Sequence, residues 1–297
     1  MLITGTTSGV GLNAVKSLVD RGWNVVTANR DPVRAAEAAE RLGIPSAPLT
    51  HLRIDLGDLD SVRAGVETLV ASLPRPLDAL VINAAVYKPR LKQPERSPQG
   101  YEISMATNHL GHFQLTARLW PLLKAAGGAR LVSVSSIGHR LNGLSIDDPN
   151  FEHRDYDKWL AYGQAKSANA LFALHLDKLG AGSGVRAFAV HPGGIVTPLQ
   201  RHLTMDEQKA MGWFDEAGTV NPLFKTTEEG AATAVWCATS PLLDGMGGVY
   251  CEDCNIGAMA GDPPPRASGV WPHIRDEALA AALWDKSEQL TGVAFRP

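Results

Sequence analysis

Cysteine is scarce in this chain: three residues, Cys237, Cys251 and Cys254, among 297. That number builds no disulfide framework. Cys251 and Cys254 form a CEDC pair, but Cys237 alone supplies no second pair for a structural zinc site, and CEDC follows a strand-like run instead of opening a helix, as a redox CxxC would. No apolar run approaches the roughly 20 residues a membrane helix needs, and the opening MLITGTTSG has neither a basic leader nor a long apolar stretch, so neither a membrane anchor nor a signal peptide is expected. Charge of one sign is also lacking. A formal net charge of −3 gives no electrostatic reason to expect nucleic acid or an acidic membrane as partner. What is present, 44% hydrophobic and 20% charged residues, describes a cytoplasmic globular enzyme or small-molecule-binding protein.

Short runs rich in Val, Ile and Leu alternate with amphipathic stretches. Strands are expected at 1–4, 24–28, 51–54, 79–82, 130–135, 185–190 and 248–250, and helices at 11–20, 32–41, 59–72, 101–125 and 161–179. The alternation predicts an α/β fold: a Rossmann-type, doubly wound parallel sheet in three α/β/α layers, as a single domain over 1–260. Two stretches interrupt it. Residues 138–159 form a polar, irregular insertion. Residues 198–225 carry Met205, Met211, Trp213, Phe214 and Phe224 between Gly212, Gly218 and Pro222, and read as a lid over a pocket. Residues 261–297 add a Pro-rich link and a helix over 275–290, whose Leu279, Leu283 and Leu290 can pack back on the body.

The stretch TGTTSGVG, Thr4 to Gly11, lies between the first strand and the first helix. Gly5, Gly9 and Gly11 allow a tight turn and close backbone approach, and a helix start offers N–H groups and a positive dipole end to phosphates. With Thr7, Ser8 and Val10 they form a predicted dinucleotide cradle. The second strand ends in Asn29 and Arg30, where an acidic residue would select NAD. A neutral residue followed by a guanidinium suits a 2′-phosphate, so NADP(H) is expected, with NAD(H) the alternative. After the third strand, Asp55 and Leu56 are placed to meet an adenine, although Asp55 reads equally well as a turn or helix-capping aspartate.

YGQAK puts Tyr162 and Lys166 four apart, on one face of a helix. A tyrosine hydroxyl with its usual pKa of about 10 is a poor acid–base group near neutrality, and a neighbouring ammonium favours its ionised form. With these motifs in order, the chain resembles a short-chain dehydrogenase/reductase over nearly its whole length. TGTTSGVG matches that family's glycine turn, INAAV its Asn motif, TNHLGHF its helix-four asparagine, VSVSS its serine, AYGQAK its YxxxK, and HPGGIVT its PG…T segment. The resemblance implies Tyr162 as general acid/base, Lys166 beside it and the nicotinamide ribose, Ser136 orienting the substrate oxygen, and Asn108 in a proton relay. It also implies cofactor contacts from Asn83, Ala84, Pro192, Gly193, Ile195 and Thr197. Asn83 reads also as a bridge between strands, Asn108 as a group satisfying backbone within its helix, and Ser135 competes with Ser136 for the pocket-facing place. His191 either lines the pocket or is a buried, hydrogen-bonded histidine, and His109 and His112 show no metal pattern.

The first 115 residues or so are similar to light-dependent protochlorophyllide reductases. From the fifth strand onward the chain is more similar to retinol-dehydrogenase-type enzymes, and Ser135, Ser136 and Gly194 stand where the light-dependent enzymes differ. The expectation is therefore a dark carbonyl/alcohol oxidoreductase, with the photoenzyme as alternative and a non-catalytic NADP(H)-binding sensor behind both. A bulky apolar substrate is expected against Ser136, Gly138, Tyr162, Gly194, Met205, Trp213 and Phe214. Assembly as monomer or homo-oligomer stays open.

Overall fold

The computed structural model describes residues 1–72, 75–88, 92–141, 143–200, 203–262 and 268–297. Residues 263–267 of the Pro-rich link expected after residue 260, and two residues of the 198–225 segment, lie outside them. The strands are β1 (Leu2–Thr4), β2 (Val25–Asn29), β3 (Leu49–Arg53), β4 (Ala79–Ile82), β5 (Arg130–Val134), β6 (Arg186–His191), β7 (Val249–Glu252) and β8 (Asn255–Ile256). They form one sheet in the order β3-β2-β1-β4-β5-β6-β7-β8, parallel except for the β7–β8 hairpin. Every residue of β1, β2, β4 and β5 is buried, as β-branched and aliphatic runs covered on both faces require.

The helices are α1 (Gly9–Val19), α2 (Pro32–Arg41), α3 (Leu59–Ser72), α4 (Ile103–Met105), α5 (Gly111–Ala125), α6 (Lys158–Gly180), α7 (Met205–Ala210), α8 (Thr227–Thr239) and α9 (Glu277–Thr291). One face of the sheet packs Ala14, Val15 and Leu18 of α1, Ala39 of α2 and Ala231, Ala234 and Val235 of α8. The other packs Val62, Val66 and Leu69 of α3, Phe113 and Leu119 of α5, and Phe172 and Leu176 of α6. The strand order reverses between β1 and β4, opening a crevice at the carboxyl ends of those strands, where ligands of doubly wound sheets sit.

Three elements, α7, α8 and β8, are absent from the sequence reading. Helix α8, TEEGAATAVWCAT, has small residues all round and therefore little periodicity. Its legible signal is the capping box, in which Thr226 and Glu229 satisfy each other's backbone N–H. Strand β8 is two residues long and follows a tight turn with Asp253 and Cys254 at positive φ. The helix expected over 101–125 is interrupted by a π turn at Ala106–Leu110. Gly111 lies at its end because Leu56 carbonyl passes so close that a Cβ there would overlap it. Helix α9 folds back on the body, with Leu283 and Ala280 buried among Met105, Ala168 and Leu171. His109 Nε2 and Ser287 Oγ, 2.7 Å apart, tie α9 to the π turn.

Candidate active site

The glycine turn is built for close approach. Gly5 has φ +71°, and a Cβ on it would come within 2.6 Å of Ala84 Cα. A Cβ on Gly11 would overlap Gly5 O and Asn83 Nδ2. Asn83 Nδ2 donates to Thr4 O (2.9 Å) and Gly5 O (3.1 Å), tying β4 to the turn. Thr4 Oγ1 accepts from the N–H groups of Asn83 and Ala84, both at 2.9 Å. Its proton therefore goes to His112 Nε2 at 2.9 Å, which makes His112 Nδ1 the donor to Asn108 O, also at 2.9 Å. Burial holds His112 neutral, with its pKa down to about 4.

The start of α1 differs from those of α2, α6, α7, α8 and α9. Asp31, Asp157, Thr204, Thr226 and Asp276 each cap their helices with a side chain. Ser8 makes no side-chain cap, and the first turn of α1 carries no acidic residue. Its leading N–H groups are thus left for an anion. Gly9 (φ +59°) faces Thr197, whose methyl would lie 3.5 Å from a Cβ on it, so the HPGGIVT segment meets the glycine turn across the crevice. Together these features make a cradle that fits a pyrophosphate. Gly193 (φ +96°) lies under the Lys225 side chain, which is ion-paired with Asp253. Ile195 forms a parallel bridge with Lys225, and Thr197 donates from N and Oγ1 to Gln200 Oε1 (2.8 and 2.9 Å).

At the tip of β2 the structure separates the two expected residues. Asn29 is buried and turned inward: Oδ1 accepts from Thr6 N at 2.7 Å and Nδ2 donates to Thr6 Oγ1 at 2.8 Å. Arg30 is exposed at the mouth of the crevice. Asp55 Oδ1 accepts from Gly57 N at 2.9 Å, the turn-closing role that the sequence left open, and Leu56 is buried in the core.

Strand β5 resolves the serine pair. Ser135 Oγ donates to Lys166 O at 2.8 Å and so anchors α6. Ser136 accepts from Gly138 N at 3.0 Å and lies beside the Tyr162 hydroxyl. A Cβ on Gly138 would lie 2.9 Å from the Tyr162 ring, so the turn must be glycine for the ring to stand there. Lys166 is buried, with Nζ donating to Val134 O at 2.8 Å and lying 5.8 Å from the centre of the Tyr162 ring. Burial brings Lys166 down to about 7 and pushes Tyr162 up, while its Ser136 hydrogen bond pulls it down. The sequence led us to expect Lys166 to depress Tyr162. In the folded chain desolvation dominates both groups.

Asn108 lies in the π turn and clamps Val86: Oδ1 accepts from its N–H at 2.8 Å, and Nδ2 donates to its carbonyl at 3.1 Å. His191 accepts from Ile137 N at 3.2 Å and is buried, which makes it a support of the Ser136 loop. Of the expected substrate-side residues, Gly194 packs against Phe224, whose ring centre lies 6.0 Å from that of Trp213. Phe214 bridges to Val220 within the same segment, and Met205 is 47% exposed at the start of α7. Two residues next to the site were missed, Tyr87 and Lys225. Nothing in INAAVYK marks Tyr87 as buried, and Lys225 reads as an ordinary lysine before a helix cap.

A doubly wound sheet, a glycine-lined cradle at its switch point and a serine–tyrosine–lysine cluster beside it define a dinucleotide-fold oxidoreductase. The short chain dehydrogenase family model matches residues 1–208. A Streptomyces lividans protein described as a probable oxidoreductase is 38% identical over 289 residues, covering 96% of this chain and 94% of its own. Human retinol dehydrogenase 12 is 32% identical over 297 residues, covering 99% of this chain and 87% of its own. The crystal structure of an uncharacterised protein from Mycobacterium paratuberculosis superposes with a TM-score of 0.73 at 31% identity, over 99% of this chain and 93% of that one. The chain belongs to the short-chain dehydrogenase family, on its retinol-dehydrogenase-like side, and is an oxidoreductase. These relatives lend no support to the protochlorophyllide reductase likeness of the first 115 residues. Among the described residues no helix is long and apolar enough to cross a membrane, and no cluster of His, Cys, Asp or Glu could hold a metal ion.

Proposed function

We propose that this protein is an NADP(H)-dependent oxidoreductase that interconverts a carbonyl and an alcohol on a bulky apolar substrate, with Tyr162 as the general acid/base. A nicotinamide cofactor, when bound, supplies or accepts the hydride. The uncapped start of α1, Gly5, Gly9 and Gly11 would hold its pyrophosphate, Thr197 and Gly193 would close over it, and Arg30 would meet a 2′-phosphate. The observation that carries the reading is the Tyr162 ring, packed against the Ser136–Gly138 turn and set one helical turn from a buried lysine that has no carboxylate partner among the described residues. Because burial keeps that phenol protonated at neutral pH, Tyr162 rests in the form that gives its proton to a substrate oxygen, which favours carbonyl reduction. Ser136 orients that oxygen. Lys166, balanced near pH 7, is suited to return a proton to Tyr162 through Asn108 and its surroundings.

NADPH consumption against a panel of bulky aldehydes and ketones, run in darkness and in light, tests this reading. Tyr162→Phe is expected to lower kcat by about 10²–10⁴-fold while leaving NADPH affinity within a few-fold. An active Tyr162→Phe enzyme would refute the assignment, and turnover confined to illuminated samples would move the chain to the photoenzyme class.

A further inference from the structure

The chain has five tyrosines. Three have hydroxyl hydrogen bonds: Tyr101 donates to Leu290 O at 2.6 Å, Tyr156 to Glu102 Oε1 at 3.5 Å, and Tyr250 meets His139 Nδ1 at 3.3 Å. The Tyr162 hydroxyl has Ser136 beside it. Tyr87 is the exception: it is only 6% exposed, and its buried hydroxyl has no hydrogen-bond partner among the described residues. An unpaired buried hydroxyl opposes folding, so its presence in a native core calls for a reason.

Its location supplies one. The Tyr87 ring packs edge-on against Tyr162 (centroids 5.2 Å apart, 63°) and tilts against Trp159 (5.2 Å, 40°). Trp159 and Tyr162 are three apart on α6, hence on one face. The ring is held where it stands. Asn108 clamps both polar groups of Val86 immediately before it, and Lys88 immediately after it pairs with Glu95 at 2.9 Å. Glu207 of α7, which pairs with Lys158 at 3.2 Å next to Trp159, is close enough to act on the phenol. The charged and titratable groups acting on the phenol are Glu207, Tyr162, Asp157 and Tyr156, none of them cationic, and burial is the main influence. All of them oppose ionisation, so the hydroxyl remains a neutral donor.

We propose that Tyr87 recognises substrate: its hydroxyl donates a hydrogen bond to a second oxygen of the molecule whose carbonyl reacts at Tyr162, when α7 lifts to admit it. This rests on the carbonyl-reductase reading and adds a substrate class to it. With the two rings in edge contact, centres 5.2 Å apart, one molecule can meet both hydroxyls, as a bulky diketone or hydroxyketone would. A site with an unpaired buried donor discriminates against analogues that lack the acceptor. Tyr87 would thus determine specificity without taking part in proton transfer.

The test compares a cyclic diketone with the matching monoketone, in the wild type and in Tyr87→Phe. The wild type is expected to prefer the diketone, and Tyr87→Phe to lower the diketone-to-monoketone ratio of kcat/KM about tenfold, chiefly through KM, as loss of one hydrogen bond to ligand implies. Thermal unfolding provides a second readout. Without substrate, Tyr87→Phe should melt at or above the wild-type temperature, since it removes an unpaired polar atom. With NADPH present, the extra stabilisation that the diketone gives over the monoketone should disappear in the variant. An unchanged ratio, or a lower melting temperature revealing an internal partner, would overturn the inference. Tyr162→Phe run alongside separates the two readings: if it stays active, the chemistry assigned above is wrong, whereas if it is inactive and Tyr87→Phe shows no discrimination, only the role of Tyr87 falls.

Discussion

Helices α6 and α7, joined by the Lys158–Glu207 ion pair, are made in opposite ways. Helix α6 runs 23 residues with buried positions on every side, among them Lys166, Ser167 and Asn169. Most of these polar atoms are matched: Lys166 Nζ and Asn169 Nδ2 both donate to Val134 O, Ser167 Oγ donates to His139 O, and Ser135 reaches back to the helix backbone, while Asn169 Oδ1 is buried without a partner among the described residues. Helix α7 runs six residues, none buried, and is held by its own capping box and the Lys158–Glu207 ion pair. On the proposed reading, the reactive groups sit on the element that cannot move without breaking a buried hydrogen-bond network, and the substrate side is closed by an element whose ties are largely solvent-exposed and exchangeable.

This contrast can be tested, beginning with the rigid side. His109 and His112 lie beside α6, and burial lowers them to about 3 and about 4. In the unfolded chain both bind a proton near pH 6.5, whereas in the folded chain they do so only at these lower values. The unfolded state therefore takes up more protons as pH falls through this window, and stability falls with it by about 1.4 kcal/mol per pH unit for each ring. Urea unfolding at pH 7, 6 and 5 should show that loss, flattening only below about 4. A flat profile would mean that the rings are not buried neutral.

Next in size is Gly138→Ala. Its Cβ would press on the Tyr162 ring, and misplacement of a catalytic group by an ångström costs on the order of 10²-fold in rate. The variant should lose kcat by about that factor while melting within a few degrees of the wild type. A fully active variant would show that the ring can yield, blurring the contrast. Arg30→Ala should then reduce the preference for NADPH over NADH by about tenfold, one charge-assisted hydrogen bond's worth, as read by titration of each cofactor. Equal wild-type affinities would remove the NADP(H) assignment. The smallest effect belongs to Glu207→Gln. Its ion pair is partly exposed, so stability should change by less than about 1 kcal/mol, while KM shifts a few-fold and kcat stays nearly constant. A large fall in kcat would mean that α7 belongs to the rigid part after all.

How legible these regions were follows the same division. The first helix, the strands and the Tyr162–Lys166 pair were legible because spacing along one helix or one turn reports local geometry directly. Strand β4 and helices α2 and α3 fall on the residues expected. Helix α8 was not legible, because its alanines and threonines show no stripe. Asn29 and Arg30 were expected together to suit a 2′-phosphate; in the folded chain Arg30 is exposed, whereas Asn29 serves the turn through Thr6. No local pattern could show that, since the pairing spans 23 residues.

The order of motifs along the chain determined the fold class, the family, the glycine turn and the identity of the reactive pair, because each depends on residues a few positions apart. Tertiary structure decided which serine faces Tyr162, that Lys166 sits without a countercharge, that Ser8 leaves α1 uncapped, and that Tyr87 is buried with its hydroxyl unpaired. Each of these is a matter of burial and of partners brought from distant segments. Desolvation and hydrogen-bond matching are properties of the assembled core, and they come into being only once the chain has closed around these groups.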